Sequence, residues 1–148
     1  MAAIIERGGR FLLVEEETSD GIRINQPAGH LDPGETLADA AARETLEETA
    51  HSFRPSALLG VYMWSASAGR QSNATFVRFA FIGDVGALDA SRKLDEGILR
   101  TLWLTPDELR TRQAEHRSPL VLQCVEDYLA GQSFPLTLLH THPSVVRP

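Results

Sequence analysis

The chain is 148 residues long, with 43% hydrophobic and 23% charged residues and a net charge of -6. This length predicts one domain that buries its core without disulfide or metal staples, and the composition is ordinary for a soluble globular protein. The acidic balance argues against general nucleic-acid binding, which needs a basic surface. An anionic small-molecule substrate still fits, because a bound metal reverses the charge locally.

Nothing in the chain resembles a targeting or membrane segment. No apolar run approaches the ~20 residues that a membrane-spanning helix requires, and no signal peptide precedes the first predicted strand. We therefore expect a cytoplasmic protein without a membrane partner. The single cysteine, Cys124, lies in an apolar helical run and is expected to be a buried thiol, with a reactive thiol as the alternative.

Three strands are predicted in the N-terminal part, at residues 2–6, 10–15 and 22–26. The first two flank Arg7-Gly8-Gly9-Arg10, a hairpin signal, and the third leads into the loop Pro27-Ala28-Gly29. The first strand begins almost at Met1, so we expect the sequence to start short and to clip this strand.

In the C-terminal part, strands are predicted at residues 57–67, 74–84 and 98–104. The first two form an antiparallel ribbon at the centre of the sheet, joined by the polar residues 68–73. Helix starts are predicted at Thr105-Pro106 and at Ser118-Pro119, with the last helix at residues 120–129. We expect one domain over residues 1–139. The tail, residues 140–148, is predicted to be disordered, with metal binding by its His-x-His pair as the alternative.

The acidic residues are concentrated on one predicted helix. It follows the turn Asp32-Pro33-Gly34, with Thr36 as the candidate N-cap and Asp39 three residues later in a variant capping box. An Ala- and Leu-rich run without Pro or Gly comes next. Small residues fall on one arc of this helix and predict close packing against a sheet: Ala38, Ala41, Thr45 and Thr49.

Three glutamates gather at the edge of that arc: Glu44, Glu47 and Glu48. Carboxylates this close repel one another strongly unless a cation neutralises them, and the oxygen ligands indicate Mg²⁺ or Mn²⁺. Arg43 lies beside Glu47, one turn earlier. The alternative interpretation is a solvated acidic helix face.

The spacing of six residues resembles the signature of the Nudix hydrolase family: Gly29, Glu35, Arg43, Glu44, Glu47 and Glu48. Thr45, Ala50 and His51 depart from the usual pattern, but none of these departures removes a charged residue. Ala50 in place of a glycine implies that the helix end needs no left-handed residue. The resemblance implies an α/β/α sandwich with a mixed β-sheet, and hydrolysis of a nucleoside diphosphate linked to another group.

The same resemblance implies a role for each matching position. Glu44 and Glu48 are expected to hold the metal, with Glu47 in the same cluster and the carbonyl of Gly29 or Ala28 as a further ligand.

Arg43 is expected to orient the carboxylates by charged hydrogen bonds, with Glu35 as a partner. Nudix members differ in their general base, which is either a glutamate of the signature or a carboxylate from a later loop. Glu44 is the first candidate here and Glu96 the second. The alternative for Glu96 is an ordinary exposed loop acid.

Three segments resemble a bacterial Nudix phosphatase subgroup: NQPAGHLDPGET, VEEET and RSPLV. That subgroup acts on nucleoside tri- and diphosphates and on the pyrophosphates of thiamine and its hydroxymethylpyrimidine precursor, and it releases phosphate. Four residues are candidates for contacting the organic group, with strand packing as the alternative: Asn25, Gln26, Tyr62 and Trp64. Arg78, inside an apolar strand, is either a paired structural arginine or a phosphate ligand.

Two competing functions remain at this point. One is an ADP-ribose or sugar-nucleotide pyrophosphatase, which commonly has a longer N-terminal sheet that builds a dimeric cleft. This chain lacks that sheet, which favours a monomer over a homodimer. The other is a non-catalytic Nudix-fold nucleotide-binding module. Such modules usually lose one or more charged residues of the signature, and this chain keeps all of them.

Overall fold

The computed structural model describes residues 1–66 and 73–146. It contains seven strands in those ranges: β1 (Ala2–Ile4), β2 (Glu6–Arg7), β3 (Arg10–Thr18), β4 (Gly21–Asn25), β5 (His51–Ser65), β6 (Thr75–Leu88) and β7 (Ile98–Leu104). The helices of the described part are α1 (Leu37–Thr49), α2 (Pro106–Thr111) and α3 (Leu120–Leu129), with short 3-10 turns at Gln113–Glu115 and Leu136–Leu138. None of these helices is long and apolar enough to cross a membrane.

The strands form two sheets. In the first, β6 lies between β5, which is antiparallel to it, and β1, which is parallel to it. In the second, β3 pairs antiparallel with β2, β4 and β7. The antiparallel ribbon of β5 and β6 forms as predicted, but only β6 is central and β5 is an edge strand of the first sheet. The predicted connection at residues 68–73 lies almost wholly outside the described residues.

The predicted strand at residues 2–6 is in fact divided between the two sheets. Ile4 pairs with Ile82 on β6, whereas Glu6 pairs with Phe11 on β3. The prediction of one hairpin strand was wrong because residues 2–5 are all buried, each at 0 or 1% exposure. Such a run is typical of a parallel strand covered on both faces rather than of a half-exposed hairpin.

The strand β5 begins at His51, six residues before the predicted start at residue 57. Pro55 masks this extension in the sequence, because proline cannot donate to a strand ladder. The register of the pairing with β6 shifts between Pro55 and Ala57, and this irregularity accommodates the proline within the strand.

Each face of the first sheet carries a core. On one side, Ile4 and Leu59 pack in a cluster that includes Val121, Cys124 and Val125 of α3. On the other side, Ile5, Phe81 and Ala41 of α1 pack in a second cluster. Helices therefore cover the sheets on both sides, and the predicted mixed α/β sandwich is confirmed.

The helix α1 begins and packs as its sequence predicts. The hydroxyl of Thr36 accepts a hydrogen bond from the backbone N–H of Asp39 at 3.0 Å, which caps the helix. The hydroxyls of the buried Thr45 and Thr49 donate to the carbonyls of Ala41 and Thr45 at 2.7 and 2.6 Å. The threonines therefore satisfy their hydroxyl groups within the helix.

The end of α1 differs from the prediction. Ala50 adopts φ 58° and ψ 15°, the left-handed conformation, and its N–H donates to the carbonyl of Leu46 at 3.0 Å. The inference that the alanine removes the need for a left-handed residue was therefore wrong. The chain turns directly from α1 into β5 at this point, and this reversal fixes the backbone whichever residue occupies it.

The C-terminal segment continues the fold past α3. Leu136 and Leu139 pack against the second core, and residues 140–146 contain no helix or strand. The domain boundary at residue 139 and the disorder of residues 140–148 stay predictions. Cys124 is fully buried in α3, and burial raises the pKa of its thiol, as expected for an unreactive cysteine.

Candidate active site

The loop between β4 and α1 lies directly against the acidic face of that helix. A Cβ built on Gly29 would lie 2.0 Å from the carboxyl carbon of Glu44, so no side chain fits at this position. The carbonyl of Gly29 accepts a hydrogen bond from the amino group of Met1 at 2.5 Å. The expected role of this carbonyl as a metal ligand stays a prediction.

Arg43 is the hub of the acidic residues. Its Nε and Nη2 donate to the two carboxylate oxygens of Glu35 at 3.0 and 2.8 Å, which makes a bidentate ion pair. Its Nη1 donates to Glu44 at 2.9 Å and to Glu47 at 3.0 Å. The structure therefore brings Arg43 to the partners that the sequence suggested. These contacts raise the pKa of Arg43, and the hydrogen bond from Arg43 is the main cause that lowers the pKa of Glu35.

Three carboxylates converge within reach of one ion. Oxygen atoms of Glu44, Glu47 and Asp95 all lie within 4.8 Å of one another. The loop before β7 is fixed here by a hydrogen bond from the N–H of Asp95 to the carbonyl of Glu47 at 3.0 Å. The third member is therefore Asp95 and not its neighbour Glu96, which is exposed and outside this group.

The sequence suggested Glu96 of this loop as the second candidate for the general base, and that role stays a prediction, while the structure places the neighbouring Asp95 in the carboxylate group. The sequence offers Asp95 and Glu96 side by side, and no periodicity exists in a loop to tell them apart. The deciding feature is the backbone bond to Glu47, which only the folded chain shows.

Glu48 lies apart from the three-carboxylate group. Its Oε2 accepts a hydrogen bond from the backbone N–H of Ala28 at 3.0 Å, and the residue is 7% exposed. Burial is the main cause that raises the pKa of Glu48 to about 8, and the charges of Glu16 and Glu44 add to it. Burial likewise raises the pKa of Glu44. Both groups therefore favour a nearby cation, which would stabilise their charged forms.

The donor set fits a divalent metal ion. Carboxylate oxygens are the ligands that Mg²⁺ and Mn²⁺ prefer, and Glu44, Glu47 and Asp95 present three of them at one point. The contact between Gly29 and the Glu44 carboxylate leaves the backbone as a wall on one side of that point. Glu48 would join the ligands only after losing its bond to Ala28 or sharing its second oxygen.

A cavity of about 430 Å³ opens beside the cluster, with Ala28 and Gly29 on its wall. The ring of Trp64 stacks on that of Phe76 at the cavity, with centroids 5.7 Å apart and planes inclined by 25°. Of the predicted substrate contacts, the structure places three at this cavity: Asn25, Trp64 and Arg78. A flat apolar surface of this kind suits an aromatic ring.

The other two predicted contacts, Gln26 and Tyr62, do not line this cavity. Gln26 is 1% exposed, and its amide donates to the carbonyl of Val121 at 2.7 Å. The hydroxyl of Tyr62 donates to Asp127 on α3 at 2.8 Å. Both side chains reach toward α3, so for them the alternative of internal packing describes the structure.

Arg78 unites the two roles that the sequence left open. Its guanidinium donates to the side-chain oxygens of Gln26 and Asn25 at 2.7 and 2.8 Å, so it is a paired arginine. These partners are neutral amides, and the residue also lines the cavity. Its positive charge therefore remains uncompensated by these two partners at a place where an anion can approach.

The chain is similar in sequence to known proteins of one family. The family model for the NUDIX domain matches residues 1–124 of the chain. Phosphatase NudJ from Escherichia coli strain K12 is 34% identical over 139 residues, which cover 94% of this chain and 88% of that protein. Phosphatase NudJ from Shigella sonnei gives the same figures.

Solved structures give the same result. A NUDIX hydrolase from Nitrosomonas europaea is 49% identical, has a TM-score of 0.90, and the match covers 95% of this chain and 94% of that one. The ORF135 protein of Escherichia coli, at 21% identity and a TM-score of 0.60 over 87% of this chain and 86% of that one, shares the fold. The chain therefore belongs to the Nudix family and is a hydrolase.

Membership of this family accounts for an acidic cluster beside a cavity. Nudix enzymes generally use divalent metals and act on small nucleotide-type molecules, and the acidic cluster of this chain has the composition that such a metal requires.

Proposed function

We propose that the chain is a metal-dependent hydrolase of phosphoanhydride bonds that releases phosphate. Its proposed substrates are nucleoside tri- and diphosphates, or the pyrophosphates of thiamine and its hydroxymethylpyrimidine precursor. The observation that carries the proposal is the cluster of Glu44, Glu47 and Asp95, which Arg43 organises beside a cavity of about 430 Å³. The preference for phosphate release is supported by the similarity to proteins named phosphatase NudJ.

Mg²⁺ is the proposed ion, with Mn²⁺ as a substitute; when bound, such an ion neutralises phosphate charge and acidifies a water molecule. Glu44 and Glu47 of α1 and Asp95 are the proposed protein ligands, and Glu48 is a further proposed ligand at the edge of the same site. Arg43 does not need to touch the substrate. It restrains the carboxylates by the hydrogen bonds to Glu44 and Glu47 at 2.9 and 3.0 Å.

Glu44 is the proposed general base. Its carboxylate lies within the acidic cluster, next to the place proposed for the ion and its water. Asp95 is the second candidate, because it lies in the cluster while Glu96 does not. Arg78 and the stacked pair of Trp64 and Phe76 are proposed to receive the rest of the substrate, the arginine a phosphate and the rings an organic group.

The test is a substrate panel assayed with Mg²⁺ in oxygen-18 water. The panel contains nucleoside tri- and diphosphates, thiamine diphosphate, hydroxymethylpyrimidine diphosphate and ADP-ribose. We expect orthophosphate that carries the label, because water then attacks the terminal phosphorus. Label in a nucleoside monophosphate, or turnover of ADP-ribose alone, contradicts the phosphatase proposal. Binding without turnover of any compound supports a nucleotide-binding module and contradicts it as well.

We also propose that the protein is a monomer, and light scattering on the same preparation measures its oligomeric state.

A further inference from the structure

A fourth carboxylate, that of Glu16 on β3, lines the cavity beside the cluster. Its side chain is only 16% exposed, and the residue is not a member of the group formed by Glu44, Glu47 and Asp95. A carboxylate in this position opposes the approach of phosphate, because like charges repel more strongly where water is scarce. Glu16 therefore needs an explanation other than phosphate recognition.

The contacts of Glu16 leave one oxygen available. Its Oε1 accepts hydrogen bonds from the amide of Asn25 at 3.4 Å and from the guanidinium of Arg117 at 3.3 Å. Among the residues that the structure describes, no side chain donates to its Oε2. An ionised carboxyl accepts about four hydrogen bonds through two oxygens, so a ligand can still donate to this one.

The side chain of Asn25 is already fully engaged and cannot bind a ligand in place of Glu16. Its amide oxygen accepts from Arg78 at 2.8 Å, and its amide nitrogen donates to Glu16. The two ends of the amide are thus fixed in one orientation by a cation on one side and an anion on the other. The chain Arg78–Asn25–Glu16 places a cation that suits phosphate at one end and a carboxylate at the other. Arg117 also lines the cavity and pairs with Oε1 of that carboxylate, while its Oε2 can accept from a hydrogen-bond donor.

The aromatic wall of the cavity defines what carries that donor. Trp64 and Phe76 stack with 25° between their planes and line the same cavity as Glu16. A flat heteroaromatic ring packs on such a wall, and an amino group on the ring edge can then donate to a carboxylate. A ring with only acceptors at that edge leaves Glu16 unsatisfied or repels it.

Resting on the proposed function, we propose that Glu16 is a specificity-determining residue that selects substrates whose heteroaromatic ring bears an exocyclic amino group. The carboxylate accepts the N–H of that amino group, and rings with a carbonyl or hydrogen in its place are disfavoured.

Matched nucleotide pairs test this directly. GTP and ITP differ by one amino group on the purine, and CTP and UTP present an amino group and a carbonyl at the same ring position. We expect the wild type to prefer the amino member of at least one pair by about tenfold or more in kcat/KM, as for a hydrogen bond to a charged group. Glu16→Gln should bring that preference close to one.

Two control variants separate specificity from structure. Glu17→Gln makes the same chemical change at the next residue of β3, which is exposed and does not line the cavity, and it should keep the wild-type preference. Arg117→Gln removes the partner of Glu16 but keeps the carboxylate; because Arg117 also lines the cavity, the variant changes the affinity for both members of a pair, but it should keep the ratio between them. Equal loss of preference in Glu16→Gln and Arg117→Gln would assign the effect to the ion pair and overturn the proposal.

A binding measurement makes the result independent of turnover. Calorimetry with GMP, IMP, CMP and UMP without metal should show the same preference for the amino member, and Glu16→Gln should lose it. Unchanged preference in Glu16→Gln overturns the role of Glu16 while leaving the hydrolase intact. Absence of hydrolysis in every variant refutes the proposed function instead, and the calorimetry then still decides the role of Glu16.

Discussion

The guanidinium of Arg43 holds the carboxylate of Glu35 by two hydrogen bonds of 3.0 and 2.8 Å, across eight positions of the chain. This pair joins the loop before α1 to the middle of the helix. It also leaves the remaining Nη1 of Arg43 directed at Glu44 and Glu47. The geometry of the proposed metal ligands therefore depends on a residue that does not ligate.

Arg43→Ala should lower kcat/KM by about 10- to 100-fold, the usual effect of removing a group that orients metal ligands. Its thermal midpoint should fall much less, because the arginine is partly exposed at a cleft. Steady-state kinetics and thermal melts of one preparation measure both quantities. Arg112→Ala is the matched control, since it removes an exposed Arg–Glu pair on the surface with a contact of 2.7 Å. Near-native turnover of Arg43→Ala would show that Arg43 is only a surface residue.

Asp95→Asn should weaken Mg²⁺ binding and activity by about tenfold or more, because it removes one charged oxygen from the cluster. Glu96→Gln should have a smaller effect, since Glu96 lies outside that group. Isothermal titration with Mg²⁺ and initial rates give the comparison. If Glu96→Gln is the more damaging substitution, the loop must rearrange when substrate binds, and the assignment of Asp95 is wrong.

The pKa of Glu48, raised by burial to about 8, predicts a pH-dependent stability of the metal-free protein. Below the ordinary value of 4.5 both the folded and unfolded states hold the proton. Between 4.5 and about 8 the unfolded chain releases it while the folded protein keeps it, so the free energy of unfolding falls as pH rises. Each unit of this difference is worth about 1.4 kcal/mol.

Glu48→Gln cannot ionise and should therefore be more stable than wild type by an amount that grows from pH 5 to pH 8, by about 2 °C or more in the thermal midpoint. Melts with a chelator present measure this difference, and Glu17→Gln at an exposed position serves as the control. A difference between Glu48→Gln and wild type that does not change with pH contradicts the raised pKa. With Mg²⁺ present the sign should reverse, because the wild-type carboxylate then has a cation partner.

Ala50→Gly tests the strained helix end. The left-handed conformation costs an alanine about 1–2 kcal/mol, while a buried methyl group contributes about 0.8 kcal/mol, so the two terms nearly cancel or leave a small gain. Ala41→Gly removes a buried methyl from the same helix at an ordinary helical position and should lose about 1.5–2 kcal/mol. Denaturant unfolding compares the two variants. Equal losses would show that Ala50 is not strained.

The acidic helix was predictable from sequence because its signals are local. Thr36 and Asp39 mark the start of α1, and a period of 3.6 residues sets which side chains face the sheet. The contact of Arg43 with Glu47 follows from the same spacing, four residues apart, whereas its contact with the adjacent Glu44 depends on the side-chain conformations in the folded protein.

The sequence was less informative where the deciding contact is distant in the chain. The division of residues 2–6 between two sheets depends on the pairing of Ile4 with Ile82, and the choice of Asp95 depends on its bond to Glu47. Similarly, Tyr62 and Trp64 share a face of β5, but Tyr62 donates a hydrogen bond to Asp127 on α3 while Trp64 lines the cavity. Strand alternation fixes the face of a side chain and not what packs on that face.

The central claim is that the carboxylate cluster of α1 performs metal-dependent hydrolysis. Its most direct test is the initial rate of orthophosphate release from a nucleoside triphosphate, measured against Mg²⁺ concentration for wild type and Glu44→Gln. We predict a wild-type rate that is negligible with chelator and saturates with Mg²⁺, and a rate for Glu44→Gln that is lower by about a hundredfold or more at every Mg²⁺ concentration. Full activity in chelator, or a Glu44→Gln curve that overlays the wild-type curve, would contradict the account.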